Sequence, residues 1–307
     1  MNRLIRTLSL GWVTVFLLSA CTVTPEAPSD ADVVESVQEF HGSEPQLFLV
    51  EPLPVDQNIE IELLQLTELL YKADLNDEQR AQILHVRAMT YDYLGLRTLA
   101  LVDVNQALEL QPAMADAYHS LGIYYAEAGE FQAAFEAFDS VIELQPDHEY
   151  VYLNRGLAAY YNGQFELALS DFADYYFQDP SDPFRVMWYY FAAWEMNPGR
   201  AFEQLNEQWE AANLDVWGQK ILEFLVGEID GESLIMYAYE NAEDRRKLNY
   251  QLCEAYFYMG KVAAMNGQYH QAMNFFKLTL ATNVYPYLEH RHARTELNNI
   301  RELLRAP

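Results

Sequence analysis

The chain has 307 residues, 51% of them hydrophobic and 14% aromatic, with a formal net charge of −27 and two cysteines. That balance provides material for a packed core and argues against general disorder. The acidity excludes binding to DNA or RNA, whose phosphates demand Lys/Arg patches, and excludes electrostatic adhesion to anionic lipid, which needs basic clusters.

The first element is residues 1–20. Arg3 and Arg6 precede an uncharged, mostly apolar run of 13 residues, LSLGWVTVFLLSA. This is the layout of a secretory signal peptide, and the run is short of the ~20 residues a membrane-spanning helix requires. Leu18-Ser19-Ala20-Cys21 resembles the bacterial lipobox, in which the cysteine is linked to diacylglycerol, the chain is cut before it and the new amine is acylated. Each buried acyl methylene contributes about 0.8 kcal/mol, so several chains on Cys21 would form a firm anchor. The only cofactor-like group expected is that covalent lipid. Cys253 is then left without a disulfide partner and reads as a small core residue.

Residues 21–57 read as an acidic, proline-containing tether: Pro25, Pro28, Pro45, Pro52 and Pro54, eight acidic residues and no Lys or Arg lie between 22 and 57. A solvated linker has little reason to carry Leu47, Phe48, Leu49 and Val50. These residues are therefore candidates for docking on the body or on a second subunit. A first amphipathic helix follows within 58–80, with Ile61 and Leu64 as further candidates for a dimer contact.

Residues 81–182 carry an internal repeat. Pro112, Pro146 and Pro180 share a spacing of 34, as do Gly95, Gly129 and Gly163; Ala100, Ala134 and Ala168; and Ala88, Gly122 and Gly156. The period and the small-residue columns resemble the tetratricopeptide repeat, a helix-turn-helix unit. The clearest copy is ADAYHSLGIYYAEAGEFQAAFEAFDSVIELQPDH, residues 115–148, flanked by copies at 81–114 and 149–182. A single unit cannot bury its apolar face, so the copies must stack. The expected fold is all-α, a tetratricopeptide-repeat α-solenoid of antiparallel helix pairs.

Residues 183–252 remain helical in pattern but lose the period, and are expected to form irregular helical pairs broken at Asn197-Pro198-Gly199. Residues 253–307 hold a fourth copy, with Val284 where the proline belongs, and a charged C-terminal helix expected to cap the solenoid. His290 and His292 stand two apart and point to different sides of a helix, so they are read as surface histidines and not as a metal pair. No zinc motif, phosphate loop or GxSxG occurs. Carboxylate pairs such as Asp139 with Glu143 are read as solvated faces, and no catalytic residue is assigned.

The resemblance to tetratricopeptide proteins implies that the first helix of each unit lines a concave groove. In this sequence it gives His85, Met89 and Asp92; His119 and Ile123; and Leu153, Leu157 and Tyr160, with Asn154 resembling the asparagine that such grooves use to hold a ligand backbone. The groove set has no lysine or arginine for the family's carboxylate clamp, which favours an extended apolar or basic peptide.

Several segments, RAMTYDYLGLRTLALVDVNQAL, LGIYYAEAGEFQAAFEAFDSVIELQP, LNRGLAAYYNGQ, DPSDPFRVMWYYFA and FKLTLATNVYPYLEHRHA, together resemble the NlpI lipoproteins of the Gram-negative outer membrane. That resemblance implies a homodimeric, non-catalytic adaptor anchored by lipid on the periplasmic face. It implies as partners a periplasmic protease of the Prc type and peptidoglycan endopeptidases such as MepS, which the protease degrades, restraining cell-wall turnover. Thr22, in place of the aspartate typical of lipoproteins retained in the inner membrane, is consistent with the outer membrane. The alternative is a tetratricopeptide lipoprotein for outer-membrane-protein or pilus assembly.

Overall fold

The computed structural model describes residues 49, 51–209, 211–212 and 216–305. Cys21, Leu47, Phe48 and Val50 lie outside them, as do the signal segment and most of the tether.

The described residues form fourteen α-helices and no strand. α1 (Gln57–Lys72) leads into three helix pairs: α2 (Asp77–Tyr93) with α3 (Arg97–Leu110), α4 (Ala115–Glu127) with α5 (Phe131–Leu144), and α6 (Val151–Tyr161) with α7 (Phe165–Gln178). Two irregular pairs follow, α8 (Pro183–Met196) with α9 (Pro198–Trp209) and α10 (Val216–Val226) with α11 (Gly231–Asn241). The chain closes with α12 (Arg245–Met265), α13 (Tyr269–Ala281) and α14 (Leu288–Arg305).

Several helices are capped by side chains. Asn76 and Gln79 form a reciprocal capping box at α2, and Asp182, Asp230 and Asp244 each accept from a backbone N–H of α8, α11 and α12. The second helices of the repeat pairs use no side-chain cap. They follow a tight turn in which a glycine takes positive φ, +80° at Gly129, and the next residue reaches back to the preceding helix, Glu130 N–H to Tyr125 O at 2.9 Å. Gly163 and Gly267 repeat this geometry, which costs a β-carbon-bearing residue strain.

The small-residue columns meet large partners 16 positions on. A β-carbon at Gly122, Gly156 or Gly260 would approach the ring of Phe138, Phe172 or Phe276 to 2.6–2.7 Å. In the first repeat the same two columns hold Ala88 and Val104, both fully buried. Where the first residue gains a methyl, the second loses most of its ring, and the helices keep close contact. A second pair of columns, also 16 apart, holds the ion pairs Arg87–Asp103 and Arg155–Asp171 at 2.6 and 2.8 Å. In the middle repeat these columns hold the apolar Leu121 and Ala137.

The pairs curl until the closing helices meet the first of the described residues. Arg245 bonds Glu51 at 2.6 Å, Arg246 bonds Asp56 at 3.2 Å, and Tyr285 packs against Gly95 in the α2–α3 turn. α14 covers α13, as expected of a cap, but it also runs across the ends of the first helices of the repeats. Arg291 pairs with Asp92 of α2 and Glu127 of α4, and Tyr161 of α6 donates to Glu296 at 3.0 Å. The reading of His290 and His292 as surface residues is therefore wrong. Both are buried, His292 stacked on Tyr161 at 4.6 Å and His290 bonded to Leu280 O, because α14 has protein on both sides.

Candidate functional site: the concave face

The concave face is built by α2, α4 and α6, each of which turns the same helical stripe inward. Met89 is exposed, and Ile123, Leu153 and Asn154 are half-buried. Ile123, Leu153, Asn154 and Leu157 line a hollow of about 310 Å³ whose opposite wall is Pro286, Leu288 and Arg291. The chain's own C-terminal segment therefore occupies one side of the groove and leaves a short apolar hollow on the other.

The remaining groove residues are engaged within the chain. Asn154 donates to Tyr150 O at 3.1 Å and lies 3.0 Å from His119 Nε2. His119 packs its ring on His148, centroids 4.3 Å apart, and His148 lies 3.5 Å from Asp116. Burial, reinforced by His148, pushes the pKa of His119 down to about 3, so the ring is neutral at pH 7 and has a nitrogen free to accept. His85 lies 3.2 Å from Ser120 Oγ, and its pKa is likewise lowered by burial.

Asp92 belongs to a half-buried set of four alternating charges. Arg291 bonds both Asp92 and Glu127, and Arg97 bonds Glu127 at 2.5 Å and lies 3.8 Å from Asp92. Burial raises the pKa of Glu127, against the pull of Arg291 and Arg97. Tyr160, expected in the groove, is buried, and its hydroxyl accepts from Lys261 at 2.8 Å. Lys261 also bonds Glu296 at 2.7 Å, and the attraction of Glu296 and Tyr160 outweighs burial and holds the ammonium above its usual range.

Sequence reasoning missed Lys261, Glu296, Arg291, Glu127 and Tyr161. Glu127 and Tyr161 stand 34 apart, one position past the groove set, and that coincidence was the available signal. Arg291 and Glu296, which they meet on the closing helix, lie outside the first three repeats and follow no spacing rule.

Among the described residues no group of three or more His, Cys, Asp or Glu is arranged to hold a metal ion, and no helix is long and apolar enough to cross a membrane. Cys253 is buried, and burial pushes its thiol well above the ordinary range, which makes it an inert packing residue. On α1, Ile61 and Leu64 are exposed, as is Leu49 before it, so among the described residues none of these three dimer-contact candidates has a packing partner that shields it.

A family model described as Tetratricopeptide repeat matches residues 86–149 and 119–183. Together with the helix pairs, this makes the chain an all-α solenoid carrying tetratricopeptide repeats, a fold suited to protein–protein interaction. Among solved structures it is similar to a tetratricopeptide repeat protein from Parabacteroides merdae, at 16% identity and a TM-score of 0.46, covering 80% of this chain and 100% of that one. It is similar also to a chain of the APC/C hetero-tetramer Cut9-Hcn1, at 14% identity and a TM-score of 0.48, over 79% of this chain and 46% of that one. A third is a Pseudomonas aeruginosa pilF structure, at 17% identity and a TM-score of 0.41, over 72% and 99%.

Proposed function

We propose that the chain is a non-catalytic adaptor of the NlpI type. It is lipid-anchored through Cys21 to the periplasmic face of the outer membrane, and it brings a peptidoglycan endopeptidase to a periplasmic protease of the Prc type. The observation that carries this reading is the half-filled concave face: an apolar hollow with Asn154 at its edge, of a size for one or two side chains of an extended polypeptide. An adaptor needs no chemistry of its own, because holding protease and client together replaces a bimolecular encounter with a local one. The acidic body favours basic clients, such as enzymes that act on anionic wall polymers. The unshielded apolar residues Leu49, Ile61 and Leu64 support a homodimer formed through the N-terminal segment.

The experiment is a pull-down from envelope extract with the full chain as bait. Recovery of a periplasmic protease together with a wall hydrolase is the expected result. Recovery of pilus or outer-membrane assembly components in their place overturns the reading in favour of an assembly role. Replacing Cys21 with Ala is expected to release the protein into the soluble periplasmic fraction. A Cys21→Ala protein that remains with membranes contradicts the anchor.

A further inference from the structure

Outside the concave hollow, one cleft of about 620 Å³ gathers positive charge in a chain of net charge −27. It lies where the closing segment meets the α2–α3 turn, and three arginines line it: Arg97, Arg291 and Arg294. Two carboxylates, Asp92 and Glu127, face Arg97 and Arg291, while Arg294 is exposed and forms no ion pair among the described residues. Arg97 Nε is buried without a hydrogen-bond partner. The first turn of α3 also opens here, with no side-chain cap at Leu96, so its free N–H groups add partial positive charge. Burial first, and the three arginines after it, lower the pKa of the neighbouring His290 to about 4. The wall beside these donors is apolar, with Leu96 and Leu99 both exposed.

We propose that this cleft receives the C-terminal carboxylate of a partner polypeptide whose last residue is apolar. A guanidinium with no competing carboxylate and an uncapped helix start suit one carboxylate, and the exposed leucines suit the side chain next to it. A polyanion is disfavoured, because the overall field of a chain of net charge −27 repels added negative charge. The site adjoins the concave hollow, with Glu127 and Arg291 standing between the two, and does not depend on the adaptor reading.

The test uses the full chain in detergent and a fluorescent hexapeptide, Gly-Ser-Gly-Ser-Leu-Leu, made once with a free carboxylate and once as the amide, with octanoate as competitor. The free acid is expected to bind at least ~10-fold tighter than the amide, to weaken as salt rises, and to lose that advantage with Arg294→Ala. Arg294 is exposed, so this variant is expected to melt like the wild type. Leu99→Asp is expected to abolish binding of the acid. Equal binding of acid and amide, no binding of either, or an acid preference that survives Arg294→Ala each overturns the proposal. Octanoate that competes as strongly as the peptide itself would assign the cleft to fatty acids and also overturn it.

Discussion

The first two repeats and the rest of the molecule are held together differently. Residues 81–141 pack as small separate clusters of alanine, valine and leucine with a few aromatic residues, for example Ala81, Leu84 and Ala107 around α2 and α3. From Leu157 to Ile300 one continuous core runs through the third repeat, the irregular pairs and the closing helices, filled by Trp188, Phe191, Trp217, Tyr256, Phe257 and their neighbours. A solenoid whose units contact only their neighbours has stability that is roughly a sum of local terms. A chain that closes on itself adds contacts between distant units, and those contacts run through α14, through Tyr285 before it and through the start of α12.

The largest expected effect is sensitivity to acid. His119, His290 and His292 have pKa values lowered from 6.5 to about 3, 4 and 3, burial being the first cause in each. Between those values and 6.5 the unfolded chain binds protons that the folded chain does not, so stability falls as pH falls through that window. At pH 5 each histidine costs about 2 kcal/mol relative to pH 7, or about 6 kcal/mol together. Burial raises the pKa of the carboxyls Glu127, Asp171 and Glu289, so each loses stability as pH rises and opposes the histidines. Urea unfolding of wild type and His292→Gln at pH 7 and pH 5 separates the two, and the variant is expected to lose about 2 kcal/mol less on acidification.

Next in size is Arg291→Ala, which leaves the half-buried Asp92 and Glu127 with only Arg97 and is expected to cost about 3 kcal/mol. The loss would appear in urea unfolding at pH 7. If α14 only capped α13, the loss would stay near that of a surface pair, ~1 kcal/mol or less.

Gly122→Ala drives a methyl into the Phe138 ring and is expected to cost about 1–3 kcal/mol. Adding Phe138→Val recreates the Ala88–Val104 pairing of the first repeat, so the double variant should be more stable than the two single losses summed. A simple sum, measured by the same unfolding, would refute the column argument. The smallest effect is at Gly129, where an added methyl meets nothing and only the positive φ costs, about 1 kcal/mol. Gly95→Ala is expected to cost more, because its methyl also strikes Tyr285 of the closing segment.

The same division marks what the sequence made legible. The helix pairs, the turn glycines and the Gly–Phe columns recur at a fixed spacing, since each satisfies a need internal to one unit. The path of α14 does not recur. Its contacts, such as Tyr161 with Glu296 and Arg291 with Asp92, depend on the accumulated curvature of all the units between them. Charge and spacing could mark residues 288–305 as a helix, but not that this helix would cross the groove. For that reason Tyr160 and Asp92 read as ligand positions and are held by the chain itself, while Met89, Ile123 and Leu153 remain accessible.

The central proposal is that this remaining hollow brings a client to a protease. It is tested most directly by the rate at which a Prc-type protease degrades a peptidoglycan endopeptidase with and without the chain. The account predicts at least ~10-fold acceleration by the wild type, lost in a folded Leu153→Glu variant that places a charge in the hollow. An unaccelerated rate with the wild type, or full acceleration by the variant, would contradict it.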